Sequence, residues 1–100
     1  MIYFTQLIYI KSGQEAVFEE FEAVALPLIS RYNGELLLRL RPDSRAKREG
    51  SADLPYEIHL VRFGSEADFQ AFSSDPERAS FLPLKEASVE KVVLIRGVAL

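Results

Sequence analysis

One histidine, a set of strand-borne arginines and four tyrosines are the side chains of this sequence best equipped for chemistry. His59 is the only histidine. Imidazole titrates near neutral pH, so a lone histidine can serve as general base or as a hydrogen-bond donor to a ligand. It can equally be a hydrogen-bonded structural side chain, and both roles stay open. No second histidine and no clustered carboxylates accompany it, so no metal site is expected. Arg39, Arg41 and Arg62 offer planar guanidinium groups that bind carboxylate or phosphate in bidentate fashion. The alternative is that they pair with acids across a subunit interface, such as Asp43 or Glu57. Among the tyrosines, Tyr3 and Tyr9 suit a pocket or an interface, and Tyr32 suits the core. The candidate ligand-binding set is therefore Arg39, Arg41, Arg62 and Tyr9, with His59 as the candidate catalytic residue.

Other chemistries find no support. The sequence has no cysteine, which removes thiol catalysis, disulfides and cysteine metal sites, and fits a reducing cytoplasm. No Gly-rich phosphate loop is present, and no serine has a credible base. No cofactor is expected. The formal charge is -3, so no global basic character points to nucleic acid. The short basic run of Arg45, Lys47 and Arg48 is interleaved with Asp43, Glu49 and Asp53 and lacks an aromatic platform. Met1–Ile10 is apolar, but Lys11 ends it well short of a bilayer span, and no membrane association is expected.

These residues need elements to hold them. Ile2–Lys11 is rich in β-branched and aromatic residues and reads as a strand buried on both sides. Ser12-Gly13-Gln14-Glu15 has the pattern of a capping box opening a helix. The helix carries Val17, Phe21, Val24, Leu28 and Tyr32 at helical spacing, flanked by Phe18, Ala25 and Ile29. Glu15, Glu19, Glu20 and Glu22 lie mainly off that stripe. Pro27 predicts a kink or break near Ala23–Leu26, and Asn33-Gly34 a left-handed stop. Glu35–Pro42 alternates as a second strand, and a polar loop spans Asp43–Leu54. Tyr56–Gly64 is the third strand. Ser65-Glu66-Ala67-Asp68 opens a second helix. Asp75-Pro76 restarts it, with Asp75 as N-cap, and Pro83 bends the segment beyond. Val89–Val98 is the last strand.

The order βαββαβ predicts an α+β, ferredoxin-like domain over residues 1–100, a four-stranded antiparallel sheet with both helices on one face. Strand parity then assigns faces. Leu36, Leu38 and Leu40 are expected under the helices, with Val61, Phe63 and His59 beside them. Glu35, Leu37, Arg39 and Arg41 are expected on the open face with Tyr56, Ile58, Leu60 and Arg62. The matching register sets Glu35 against Arg62, Leu37 against Leu60, Arg39 against Ile58 and Arg41 against Tyr56. Whatever the choice on the outer strands, the open face carries large apolar groups. A second copy of the chain, packed sheet to sheet, is the expected cover, giving a homodimer.

A family resemblance supports this architecture. Tyr32-Asn33-Gly34-Glu35-Leu36-Leu37-Leu38-Arg39, the run Ile58–Ala67 with Phe69, Phe72 and Ser74-Asp75-Pro76-Glu77 after it, and the closing Val92-Val93-Leu94-Ile95-Arg96-Gly97 together resemble the dimeric α/β-barrel superfamily. Within it, they are most similar to a small family of unknown function. The resemblance implies a ligand pocket between sheet and helices. The superfamily includes cofactor-free monooxygenases, haem-degrading enzymes, lactone isomerases and stress-responsive proteins. Haem-degrading relatives use a histidine on the second helix, and none lies between Ser65 and Val89. Quinone-forming oxygenases commonly use a tryptophan, and this chain has none.

Two functions are expected from these features. One is a cofactor-free enzyme acting on a small hydrophobic or anionic metabolite, monooxygenase-like or isomerase-like. The other is a non-catalytic ligand-binding or assembly domain. The space around His59 separates them.

Overall fold

A computed structural model describes residues 1–100. The strands are β1 (Ile2–Ile10), β2 (Gly34–Leu40), β3 (Glu57–Phe63) and β4 (Val89–Gly97). The helices are α1 (Glu15–Leu28), α2 (Glu66–Ser73), α3 (Pro76–Ser80) and α4 (Leu82–Ser88). All neighbouring strands pair antiparallel, in the order β2-β3-β1-β4. This is the expected α+β, ferredoxin-like arrangement. No helix is long and apolar enough to cross a membrane.

Local signals explain most boundaries. The Ser65 hydroxyl accepts from the Asp68 amide at 3.1 Å and caps α2. Asp75 accepts from the Arg78 amide at 2.9 Å and caps α3, with Pro76 at its start. Asn33 adopts the left-handed conformation, φ 56°, and closes the 3-10 turn Ile29–Tyr32. Gly34 comes next, where no larger residue fits. A Cβ there would lie 2.6 Å from the Phe63 ring and 2.7 Å from Ile29.

Two helix expectations are corrected. The Ser12 capping box does not form; Gln14 precedes α1 and makes no side-chain cap. The chain instead enters the helix through a turn closed by the Gln14 amide on the Lys11 carbonyl, with Gly13 at φ 80°. Pro27 does not break α1 near Ala23–Leu26; the helix continues to Leu28. Ala23 and Pro27 both face solvent, so water can satisfy the carbonyl that Pro27 leaves without a donor.

The largest correction lies in β2. Glu35 pairs with Arg62 and Leu36 with Val61, but Leu38, not Leu37, then pairs with Leu60. The extra residue, Leu37, makes a β-bulge. A slip of one residue exchanges the faces of everything beyond it. Arg39 therefore pairs with His59 and Leu40 with Ile58. Leu36 stays under the helices as expected, whereas Leu38 and Leu40 turn to the open face and Arg39 and Arg41 turn to the helix side.

On β3, alternation holds without interruption. Glu57, His59, Val61 and Phe63 are buried, and Ile58, Leu60 and Arg62 are partly exposed. The register extends this to β1, placing Phe4, Gln6 and Ile8 under the helices and Tyr3, Thr5 and Leu7 outside. On β4, Val92 and Leu94 share the helix side, and Val93 and Ile95 the open side. The core combines Phe4, Ile29, Val61 and Phe63 with Phe69 and Phe72 from α2. The Phe4 and Phe69 rings stack at 4.1 Å, and Phe63 meets Phe69 and Phe72 at 5.6 and 5.3 Å.

Candidate functional site

Two groups of polar side chains occupy the helix side of the sheet. The first centres on Glu57, at the start of β3, whose alternation points its side chain inward; the residue is 1% exposed. The bulge in β2 brings Arg39 and Arg41 to it. Arg39 Nε donates to one Glu57 oxygen at 2.7 Å, and Arg41 Nε to the other at 3.0 Å. Both arginines also pair with Glu19 on α1, Arg39 at 3.0 Å. The Arg41 guanidinium lies 4.6 Å from the centre of the Tyr56 ring. Two carboxylates and two guanidinium groups balance in charge around the buried Glu57.

His59 joins this group through its Nε2, which donates to Glu57. Burial pushes the His59 imidazolium below its ordinary range, and the Glu57 carboxylate only partly opposes that. Burial thus favours the neutral ring. With its proton held on Nε2 by Glu57, Nδ1 is left as an acceptor. Burial alone would push the Glu57 carboxyl up. Hydrogen bonds from Arg39, His59 and Arg41 overcome it and hold Glu57 below the usual carboxylate range.

The second group lies in a cavity of about 280 Å³ between the sheet and the helices. Fourteen of its twenty lining residues are hydrophobic, so it suits an apolar body. Its ionisable lining residues are His59, Glu22 of α1, Arg78 of α3 and Lys85 of α4. Leu94 also lines it and is 49% exposed, which marks its open side along β4.

Glu22 is 7% exposed. No hydrogen bond stabilises its charge. Burial first, and then the nearby Glu57 charge, push it up to about 7, against the weaker pull of Arg39, Lys85 and Arg78. Lys85 is lowered by burial, with Arg78 adding to the effect and Glu22 opposing it. Arg78 is lowered by burial too, with Glu22 and Asp75 opposing. Its guanidinium sits 5.2 Å from the Phe72 ring centre and 5.9 Å from that of Phe21. One hydrogen bond, to the Ser73 carbonyl at 3.3 Å, holds it. Its Nε is buried with no partner. No three histidine, aspartate or glutamate side chains converge as a metal site.

The residues singled out in the sequence are thus divided. His59, Arg39 and Arg41 come together, and only His59 of these lines the cavity. Arg39 and Arg41 are not on the open face, and their acid partners belong to the same chain. Arg62 pairs with Glu35, as the cross-strand register requires. Tyr9 is remote from the cavity; its hydroxyl donates to the Asp53 carbonyl at 2.8 Å, and Lys91 lies 4.6 Å from its ring centre. Sequence reasoning misses Glu22, Arg78 and Lys85. Glu22 carries a signal, since it stands four residues after Phe18 and three before Ala25, on the buried side of α1. Arg78 and Lys85 sit in helices of five and seven residues, too short for periodicity to mark a face.

No family model and no curated protein matches the sequence. Solved structures do match, and they agree on the fold. A protein of unknown function from Rhodopseudomonas palustris has a TM-score of 0.84 at 16% identity, over 99% of this chain and 82% of that one. A DABB-family protein with a ferredoxin-like fold from Mesorhizobium loti has a TM-score of 0.68 at 20% identity, over 99% and 96%. A dimeric ferredoxin-like protein of unknown function from Jannaschia sp. has a TM-score of 0.71 at 16% identity, over 98% of each. NIPSNAP proteins are among the matches as well. The chain is therefore similar in fold to these ferredoxin-like proteins.

Proposed function

We propose that the cavity binds a small, largely apolar metabolite and moves a proton on it without a bound cofactor. The observation that carries this reading is the buried, unpaired Glu22 facing the same apolar cavity as His59. An unpartnered carboxyl in such a place destabilises the fold, and its pKa of about 7 suits a group that takes and returns protons near neutrality. Glu57 orients the His59 ring and leaves Nδ1 as an acceptor, so a second proton-handling residue lines the same cavity. Moving a proton from one atom of a substrate to another needs only such groups. The isomerase-like reading is favoured over the monooxygenase-like one for that reason.

A thermal-shift screen of small aromatic and acidic metabolites against wild type, Glu22→Gln and His59→Ala tests the binding. NMR in D2O then tests each hit for exchange of ligand C–H. Wild-type stabilisation with exchange that Glu22→Gln abolishes is the expected result. Failure of every compound to stabilise the wild type would sink the reading. Binding without exchange would leave the non-catalytic ligand-binding alternative.

The open sheet face favours self-association as part of this proposal. Leu38, Leu40, Val93 and Ile95 are 45%, 37%, 41% and 53% exposed there, beside Leu60 and Ile58. A contiguous apolar sheet face of this kind calls for a cover. A two-fold copy supplies one without any new surface, and the Jannaschia protein is described as dimeric. A cytoplasmic setting belongs to the same proposal, supported by the cysteine-free sequence. Sedimentation equilibrium at micromolar concentration should give twice the chain mass; a monomer would overturn the dimer.

A further inference from the structure

We propose that the ligand of this cavity is a small apolar carboxylate whose head group is held by Arg78 and Lys85. The inference rests on the cavity being a ligand site and adds the substrate class. Three ionisable side chains from three different helices face one space: Glu22, Arg78 and Lys85. Glu22 feels both cations through space, yet none of the three hydrogen-bonds to another. Two cations against one carboxylate, even with that carboxylate ionised, leave one positive charge beside a largely apolar, half-buried cavity. A monoanion restores balance.

Arg78 is also built to receive it. Asp75 fixes its backbone through the amide bond at 2.9 Å, and Tyr32 in turn hydrogen-bonds Asp75. Phe72 and Phe21 flank the guanidinium, and the Ser73 carbonyl accepts one of its five N–H groups. A guanidinium held this way loses little freedom on binding. The planar face of its terminal N–H groups matches a carboxylate, and only one of those groups is engaged, by the Ser73 carbonyl. A carboxylate carries the single charge the site lacks, whereas a phosphate monoester at neutral pH brings close to two. The cavity volume, at the lower end of ligand pockets, also calls for a compact molecule.

Isothermal titration with benzoate and hexanoate, against the neutral isosteres benzamide and hexanamide, tests this directly. At least one acid should bind about ten-fold or more tightly than its amide, as a charge-assisted pair requires. Arg78→Gln should remove that preference while leaving amide binding in place. Lys85→Met should reduce it and, lying on a different helix, serves if Arg78→Gln fails to fold. Amides binding as tightly as acids would overturn the anion assignment alone. So would an unchanged preference in folded variants. Failure of acids and amides alike would overturn the cavity as a ligand site, and this inference with it.

Discussion

Glu57 and Glu22 are two carboxylates on the helix side of the same sheet, both nearly inaccessible, and they behave in opposite ways. Glu57 receives donors from Arg39, Arg41 and His59 and is held ionised. Glu22 receives none, and its carboxyl is pushed up to about 7, so it takes and loses its proton near neutral pH. Burial raises the cost of charge at both positions. What differs is whether partners have been brought within hydrogen-bonding distance. The Glu57 group is closed and balanced, so it reads as structure that also orients His59. The Glu22 group is open and unbalanced, so it reads as a site. A buried charge alone does not separate architecture from function; its unmet partners do.

The comparison can be broken most severely at Glu57. Glu57→Ala leaves Arg39 and Arg41 with only the half-exposed Glu19, and should cost about 2 to 3 kcal/mol. Urea unfolding at pH 7 measures it, and a cost under about 1 kcal/mol would show that the ionic group is dispensable. The Glu57 carboxyl is more acidic in the folded chain than in the unfolded one. Its contribution is therefore present above the unfolded value and is lost as pH falls through the folded one.

Glu22 should respond with the opposite sign. Its proton is held more tightly in the folded chain, so its contribution is fully present below 4.5 and is lost as pH rises through about 7. Glu22→Gln should then stabilise the protein at pH 8 by roughly 2 to 3 kcal/mol. At pH 4 the gain should vanish. Thermal and urea unfolding at the two pH values check this; equal effects at both would mean that the proton is not the cause.

The smallest effect belongs to the open face. Arg62 and Glu35 pair across the strands but are 34% and 55% exposed, and Arg62→Ala should cost at most about 1 kcal/mol. A larger loss in unfolding free energy would mean that this pair is buried in an assembly.

Much of the fold is legible from local pattern. The order of elements, the caps at Ser65 and Asp75, the stop at Asn33 and the inward parity of His59, Val61 and Phe63 each depend on a few adjacent residues. The site is less legible. Strand parity puts Arg39 and Arg41 on the wrong face because every residue from Glu35 to Arg41 suits a regular strand, and nothing local marks Leu37 as extra. Glu22 resembles the solvent-facing glutamates of α1, although its spacing from Phe18 and Ala25 places it inward. Charge argues for exposure there, and helical geometry wins.

Alternation and capping act over a few residues, so the order of elements and an apolar sheet face in excess of what the helices cover follow from the chain read locally. Which side chains fill that face and which surround the cavity depends on how the elements pack together. Register between β2 and β3 is a property of two strands together, and a one-residue bulge exchanged Leu38 and Leu40 with Arg39 and Arg41. Likewise, three helices separated along the chain had to pack before Glu22, Arg78 and Lys85 could share one space.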